Sequence, residues 1–478
     1  MAMSSRPVDR HGQVAGEVLP QVSGTADDVR VRPVSETVAT STPLVTAQGA
    51  EPGVSVLARG VEIPAPKRVR VPGATNSRVM TQEVRGIAEV LRLIEQAYVR
   101  AMPLDEIVAT GLARFQRIEP QLRIERQASG VAVFVGERCV VVPKMRRGDA
   151  VAQAAFVEEV FAALLRHSPR FAATSSADRR AVLASAIVAG LDPWSAYLPA
   201  ETSKALQSGL GFAEGNPPQT VVADERPHGG VAYVRITSFG RGTPLEVSQA
   251  LGRLRVVGTT SAVIDLRHNA GGVLSAAELT ADLFLAEGLV VEKRARDPRF
   301  AGRFDAAPGD AFEDPALRLV VLVDATTASA GEVLAGALAS NGRALLVGST
   351  TYGKGTGQHI ASLPDGDALR LTVSTLHLRN GVTYAGAGLV PAVCSSRTDM
   401  DPGAQLNTLR AGAAVWGDST SRGAETCAAT VVGDDILPIA RAIAGDEEVY
   451  RRALTDTGIR PSGATPLAQG RMGQRTIP

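Results

Sequence analysis

Residues 319–323, Leu-Val-Val-Leu-Val, are an unbroken apolar run with the length and β-branched content of a buried strand. Small residues follow from Ala325 to Gly331. A helical pattern then begins, with Val333, Leu334, Ala337 and Leu338 on one face. A second strand-like run, Ala344–Gly348, leads to a lysine bracketed by glycines, Lys354. Upstream, Val231–Ile236 and Ala262–Leu266 read as strands, separated by a helix that starts at Thr243-Pro244 and buries Val247, Leu251 and Leu254. Strands alternating with helices from Val231 to Val347 predict right-handed βαβ crossovers and an α/β core.

Ser329 falls at the first turn of its helix, where free backbone N–H groups and the positive dipole end favour developing negative charge. A serine nucleophile without histidine needs another base, and a desolvated lysine such as Lys354 is the usual substitute. On the turn alone two other readings stand: Ser329 as a helix cap and Lys354 as a solvated turn residue. A third is a phosphate loop, since Gly348 to Lys354 has the G-x-x-x-x-G-K spacing. Gly355 stands where that motif needs Ser or Thr, and no acidic Walker-B strand end follows.

Four blocks decide between these readings. Val263-Ile-Asp-Leu-Arg-His-Asn-Ala-Gly-Gly272, Thr327-Ala-Ser-Ala-Gly-Glu-Val-Leu-Ala-Gly-Ala-Leu338, Val347-Gly-Ser-Thr-Thr-Tyr-Gly-Lys-Gly-Thr-Gly-Gln358 and Gly386-Ala-Gly-Leu-Val-Pro-Ala-Val393 resemble, in order and spacing, the core of the C-terminal processing (tail-specific) serine peptidases. The resemblance implies a crotonase- and Clp-protease-like βαβ core behind a mainly helical N-terminal domain. It assigns Ser329 as nucleophile, Lys354 as general base and Gln358 as the residue that orients the lysine. It places the oxyanion hole at Gly271, or its close alternative Gly272, and at Ala330. The expected activity is serine endopeptidase action on unstructured or C-terminal protein segments, with a protein or peptide as partner. The rival from another class is a catalytically retired scaffold or peptide-binding protein. His268 stands where members of the family often have Asn and is read as non-catalytic; Arg267 is read as bracing its turn and Glu332 as structural.

The rest of the chain sets limits. Lys plus Arg number 50 against 49 Asp plus Glu, which gives no field for nucleic acid. No apolar run approaches a membrane span, and no HExxH or paired Cys/His spacing suggests a metal or other cofactor. Met1 to Gln13 lacks a signal peptide's basic start and apolar core, against the periplasmic or envelope location that the resemblance implies. Of three cysteines, Cys394 and Cys427 are placed to form a disulfide or to remain two thiols.

The expected organisation is a disordered segment over 1–80, a mainly helical domain with a β-hairpin over 81–210, the peptidase core over 211–395 and a C-terminal loop and helix over 396–478. The helical domain carries Ile87, Val90, Leu91, Ile94 and Tyr98 at helical spacing, helices near 104–115, 151–165 and 177–189, and a hairpin over 130–143 turning at Gly136. Leu191-Asp-Pro-Trp-Ser-Ala-Tyr-Leu198 resembles the family's block at the end of that region, with Trp194 for the usual histidine and therefore a packing role. Only Asn216 to Gly230 separates Gly211-Phe-Ala-Glu-Gly215 from the first core strand, too little for the PDZ domain of roughly 80–100 residues that the family usually inserts. A final helix is expected over 436–454, with a frayed end beyond Ser462.

Overall fold

In the computed structural model the described residues are 37–39, 82–143 and 162–456, excepting 117–119, 128–129, 136–137, 163, 167, 210–218, 225, 257, 310–311, 364–365, 382, 397–400 and 413–426. The expectations for 151–161 and beyond 456 lie outside them. Residues 1–80 were expected to carry no structure, yet Thr37–Ala39 form a strand, β1.

The N-terminal part opens with helices α1 (Gln82–Ala97) and α2 (Leu104–Phe115), then β2 (Leu122–Gln127), β3 (Gly130–Val135) and β4 (Arg138–Pro143). β3 and β4 are the expected hairpin, and β2 adds a third antiparallel strand. Helix α3 (Ser176–Val188) follows, capped by Ser175, whose side chain accepts from Asp178 N–H. Ile87, Val90, Leu91, Ile94 and Tyr98 are all buried, so the apolar stripe of α1 faces the core. That core also takes in Leu369, Leu371 and Val373, which fixes the helical region to the sheet carrying the lysine loop.

After β5 (Ala196–Leu198) and α4 (Ala200–Gly209) come β6 (Val221–Ala223), β7 (Val231–Ile236), α5 (Thr243–Val256), β8 (Ser261–Asp265), β9 (Gly272–Val273) and α6 (Leu274–Asp282). Next are β10 (Gly288–Ala295), β11 (Gly302–Ala306), β12 (Arg318–Val323), α7 (Ala330–Ser340), β13 (Ala344–Gly348), β14 (Thr356–Ser362), β15 (Ala368–His377) and β16 (Val393–Cys394). Helices α8 (Pro402–Arg410), α9 (Ile436–Gly445) and α10 (Glu447–Asp456) end the described chain. The single terminal helix expected over 436–454 is thus two, broken at Asp446, and α8 precedes them.

Two larger sheets carry the site. The first runs β16-β13-β12-β8-β7-β6, parallel except for β6. Val321 and Val323 point into a core shared with α5, α6 and α7, whereas Val320 and Leu322 join Leu406, Ile436, Ile443 and Tyr450 of the C-terminal helices. β12 is therefore apolar at successive positions because helices cover both faces. The C-terminal segment completes the core. The second sheet, seven-stranded and antiparallel, runs β11-β10-β15-β14-β1-β9, with β5 also on β15.

A disulfide joins Cys394 at the end of β16 to Cys427, 33 residues on. Beside it Thr350 Oγ1 donates to Cys427 O at 2.7 Å and Ala325 N–H donates to Thr430 O at 3.0 Å. The bridge thus pins the returning chain against the loops that follow β12 and β13. Closing a loop of that length contributes about 3–4 kcal/mol on the chain-entropy model. Cys427→Ser is expected to lower unfolding free energy in urea by about 3 kcal/mol under non-reducing conditions, with reductant producing a similar loss in the wild-type protein and none in the variant.

Candidate active site

The turn between β12 and α7 is built by hydrogen bonds that its sequence supplies. Asp324 Oδ1 accepts from the N–H groups of Thr326 and Thr327 at 2.9 and 3.0 Å. Thr327 Oγ1 donates to Leu266 O at 2.8 Å, and Ala328 N–H donates to Asn269 O at 2.9 Å, so the turn is tied to the loop after β8. Ser329 then takes φ 58° and ψ −117°, one of only two positive φ values at non-glycine positions among the described residues. Such a conformation costs on the order of 1–3 kcal/mol and persists only where the surroundings over-determine it. Ser329 is fully buried, and its Oγ has no hydrogen-bond partner among the described residues.

Glu332, one turn into α7, holds the site together. Its Oε2 accepts from Ser329 N–H and from Lys354 N–H, each at 2.9 Å. Its Oε1 accepts from Gly353 N–H and from Thr351 Oγ1, each at 2.6 Å. Thr351 Oγ1 itself accepts from Leu389 N–H at 2.7 Å, so its proton goes to Glu332. All four partners are donors, the arrangement suited to a carboxylate. Burial pushes the Glu332 carboxyl up and the four donors oppose that shift.

These bonds also remove the phosphate-loop reading. A phosphate cradle needs its backbone N–H groups, and those of Gly353 and Lys354 are already committed to a carboxylate.

Lys354 is buried, at 2 % exposure. Burial, with the Arg370 guanidinium second, holds its amine well below the usual lysine value, against the pull of Glu332 and Asp192. Its Nζ lies 5.1 Å from the centroid of the Trp194 ring, which also packs edge-on against Tyr352 with centroids 5.5 Å apart. Trp194 thus packs, as the sequence implied, and what it packs on is the candidate base.

Gln358 is fully buried on β14. Its Nε2 donates to Thr356 Oγ1 at 2.9 Å and to Thr372 Oγ1 at 3.3 Å, while its Oε1 has no hydrogen-bond partner among the described residues. Thr372 Oγ1 in turn donates to Asp192 Oδ1 at 3.1 Å. Asp192 also accepts from Trp194 N–H, Ser195 N–H and Ser195 Oγ. The Leu191–Leu198 block therefore braces both Lys354 and Gln358. Asp192, Thr372 and Arg370 carried no local sequence signal for this, because their partners lie far away along the chain.

Gly271 takes φ 101°, and a Cβ there would stand 2.8 Å from Ser329 Cβ and 3.1 Å from Ala330 N, so the close approach requires glycine. Its N–H donates to Asn269 Oδ1 at 2.8 Å. Gly272, the alternative, follows at the start of β9. Ala330 occupies the first position of α7, where the backbone N–H has no acceptor within the helix. Gly271 thus lies against Ser329 and Ala330, and Glu332 joins the backbones of Ser329 and Lys354. His268 turns away from it: half exposed, its Nδ1 lies 3.5 Å from Asp324 Oδ2. Arg267 braces its turn through Asp265, Asp434 and Gly433 O.

Residues 230–394 match the family model of peptidase family S41. The carboxyl-terminal-processing protease of Picosynechococcus sp. is 36% identical over 197 residues, which cover 39% of this chain and 47% of that protein. Its counterpart of the same name from Synechocystis sp. is 35% identical over 212 residues, 41% of this chain and 48% of that protein. The chain thus spans about half the length of these curated relatives. Among solved structures, the photosystem II D1 C-terminal processing protease aligns at 18% identity over 70% of this chain and 100% of that one, with a TM-score of 0.42. Over residues 230–394 this chain is therefore similar to peptidase family S41 and to the carboxyl-terminal-processing proteases.

Proposed function

We propose that the chain is a serine endopeptidase that cleaves unstructured or C-terminal segments of proteins through Ser329 and Lys354, with Gln358 orienting the lysine. The observation that carries this reading is the strained, fully buried Ser329, whose unpartnered Oγ lies on a turn sharing one carboxylate oxygen with the backbone of a desolvated lysine. Lys354, neutral because its site is dry, takes the proton of Ser329 Oγ as that oxygen attacks a peptide carbonyl. The oxyanion is met by Ala330 N–H at the N-terminus of α7 and by a glycine N–H of the Gly271-Gly272 pair. Gly272 is the better second donor, since Gly271 N–H already serves Asn269. Lys354 then protonates the leaving amine and acts again as base when water breaks the acyl-enzyme. Gln358 has its amide nitrogen held by two threonines and its Oε1 left open, the acceptor this scheme assigns to aiming the lysine as it moves toward Ser329.

Cleavage of an unstructured protein is expected from the wild-type chain and not from folded Ser329→Ala or Lys354→Ala, with fragment ends read by mass spectrometry. Absence of cleavage in all three would favour the scaffold. A lysine base is active when deprotonated, so kcat/KM is expected to rise with pH through the lowered Lys354 pKa and to level off well below the ordinary lysine value. Trp194 is a positioning residue in this scheme. Trp194→Ala admits water to Lys354, and the rising limb of the pH–rate profile should move to higher pH while the plateau changes less.

The same depression has a stability sign. Between the folded Lys354 pKa and about 10.4 the unfolded chain binds the extra proton, so stability rises with pH across that window. Lys354→Met is expected to be the more stable protein at neutral pH, with a thermal-midpoint advantage that shrinks as pH climbs toward that upper value.

A further inference from the structure

β1 lies between two edges of the active site. Its residues pair antiparallel with β14 on one side, Thr37 with His359 and Val38 with Gln358. On the other they pair antiparallel with β9, Val38 with Val273 and Ala39 with Gly272. Gln358 and Gly272 are residues that the peptidase scheme uses, and Gly271 beside the second touches Ser329. β9 has two residues and joins the seven-stranded sheet through β1. Take β1 away and the remainder is a slot between two strand edges, each presenting unpaired N–H and C=O groups, the β9 edge beginning next to the glycine that touches Ser329.

Such a slot accepts an extended polypeptide by backbone hydrogen bonding, largely whatever its sequence. Here it holds the chain's own residues 37–39. We infer that Thr37–Ala39 is a built-in occupant of the peptide-binding slot, which keeps substrate from Ser329 until it is displaced. The inference rests on the peptidase reading for its consequence, and on the strand pairing alone for its geometry. The ligand class of the slot follows: an extended backbone segment antiparallel to both β14 and β9, in competition with the N-terminal segment.

The test uses the full chain with Val38→Pro and, separately, Ala39→Pro. Neighbouring N–H groups of a strand point to opposite edges, so the two substitutions break the ladder on one side each. Two readings are taken: amide hydrogen exchange at residues 272–273 and 358–359, and the rate at which a fluorophosphonate labels Ser329. The expected result is faster exchange at these amides together with labelling accelerated about fivefold or more, the worth of one ladder hydrogen bond in the competition. Unchanged exchange in both variants would overturn the occupancy, whether or not the protein reacts. Faster exchange with unchanged labelling would overturn the blocking role. No labelling of any form would count against the peptidase reading itself, and exchange would still decide whether the strand sits in the slot.

Discussion

One carboxylate holds the candidate site in register. Glu332 Oε2 takes the backbone N–H of the candidate nucleophile and that of the candidate base, while Oε1 takes Gly353 and Thr351 from the same loop. A buried carboxylate without partners would cost several kcal/mol, and four donors are what make it tolerable. The arrangement is all-or-none in character. Each loop is stretched toward a shared acceptor, and neither reaches it unless the other strand ends are in place. Ser329 can then be held at a positive φ because the turn is fastened at Asp324, Thr327 and Ala328 on one side and at Glu332 on the other.

The strand ends are in place because the first sheet is covered on both faces. Helices α5, α6 and α7 bury one face of β12 and the C-terminal helices bury the other. The disulfide and the Thr350 and Ala325 bonds extend that second cover to the active loops. On the far side, the N-terminal helices press on β15, whose Thr372 and Arg370 reach Gln358 and Trp194 O. Every layer of the fold thus ends at the same cluster.

Much of this was legible in the residues. The unbroken run Leu319–Val323 and the stripe from Ile87 to Tyr98 fix strand and helix through local periodicity, and Gly271-Gly272 signal a close backbone approach. What escaped depends on partners far away in sequence. An apolar run on both faces of β12 demands a second set of helices, but α8 and the break at Asp446 lie in a stretch with weak periodicity. The four donors on Glu332 come from residues 329, 351, 353 and 354, three of them backbone groups that leave no trace in side-chain pattern. Trp194 reads as packing from sequence, yet its position over Lys354 emerges only when β15 brings the two together. β1 has no sequence signature: three residues, Thr-Val-Ala, in a stretch without aromatic anchors.

That short strand also has a history in time. Val38 meets Gln358 across 358 − 38 = 320 residues of chain. Both of its neighbours, β14 and β9, lie far C-terminal to it, so in synthesis the strand precedes the residues it pairs with. Loop-closure entropy disfavours so distant a pairing until the rest of the molecule has condensed. β1 is therefore woven in late relative to the strands on either side of it, and the sheet stands one strand short until they have met.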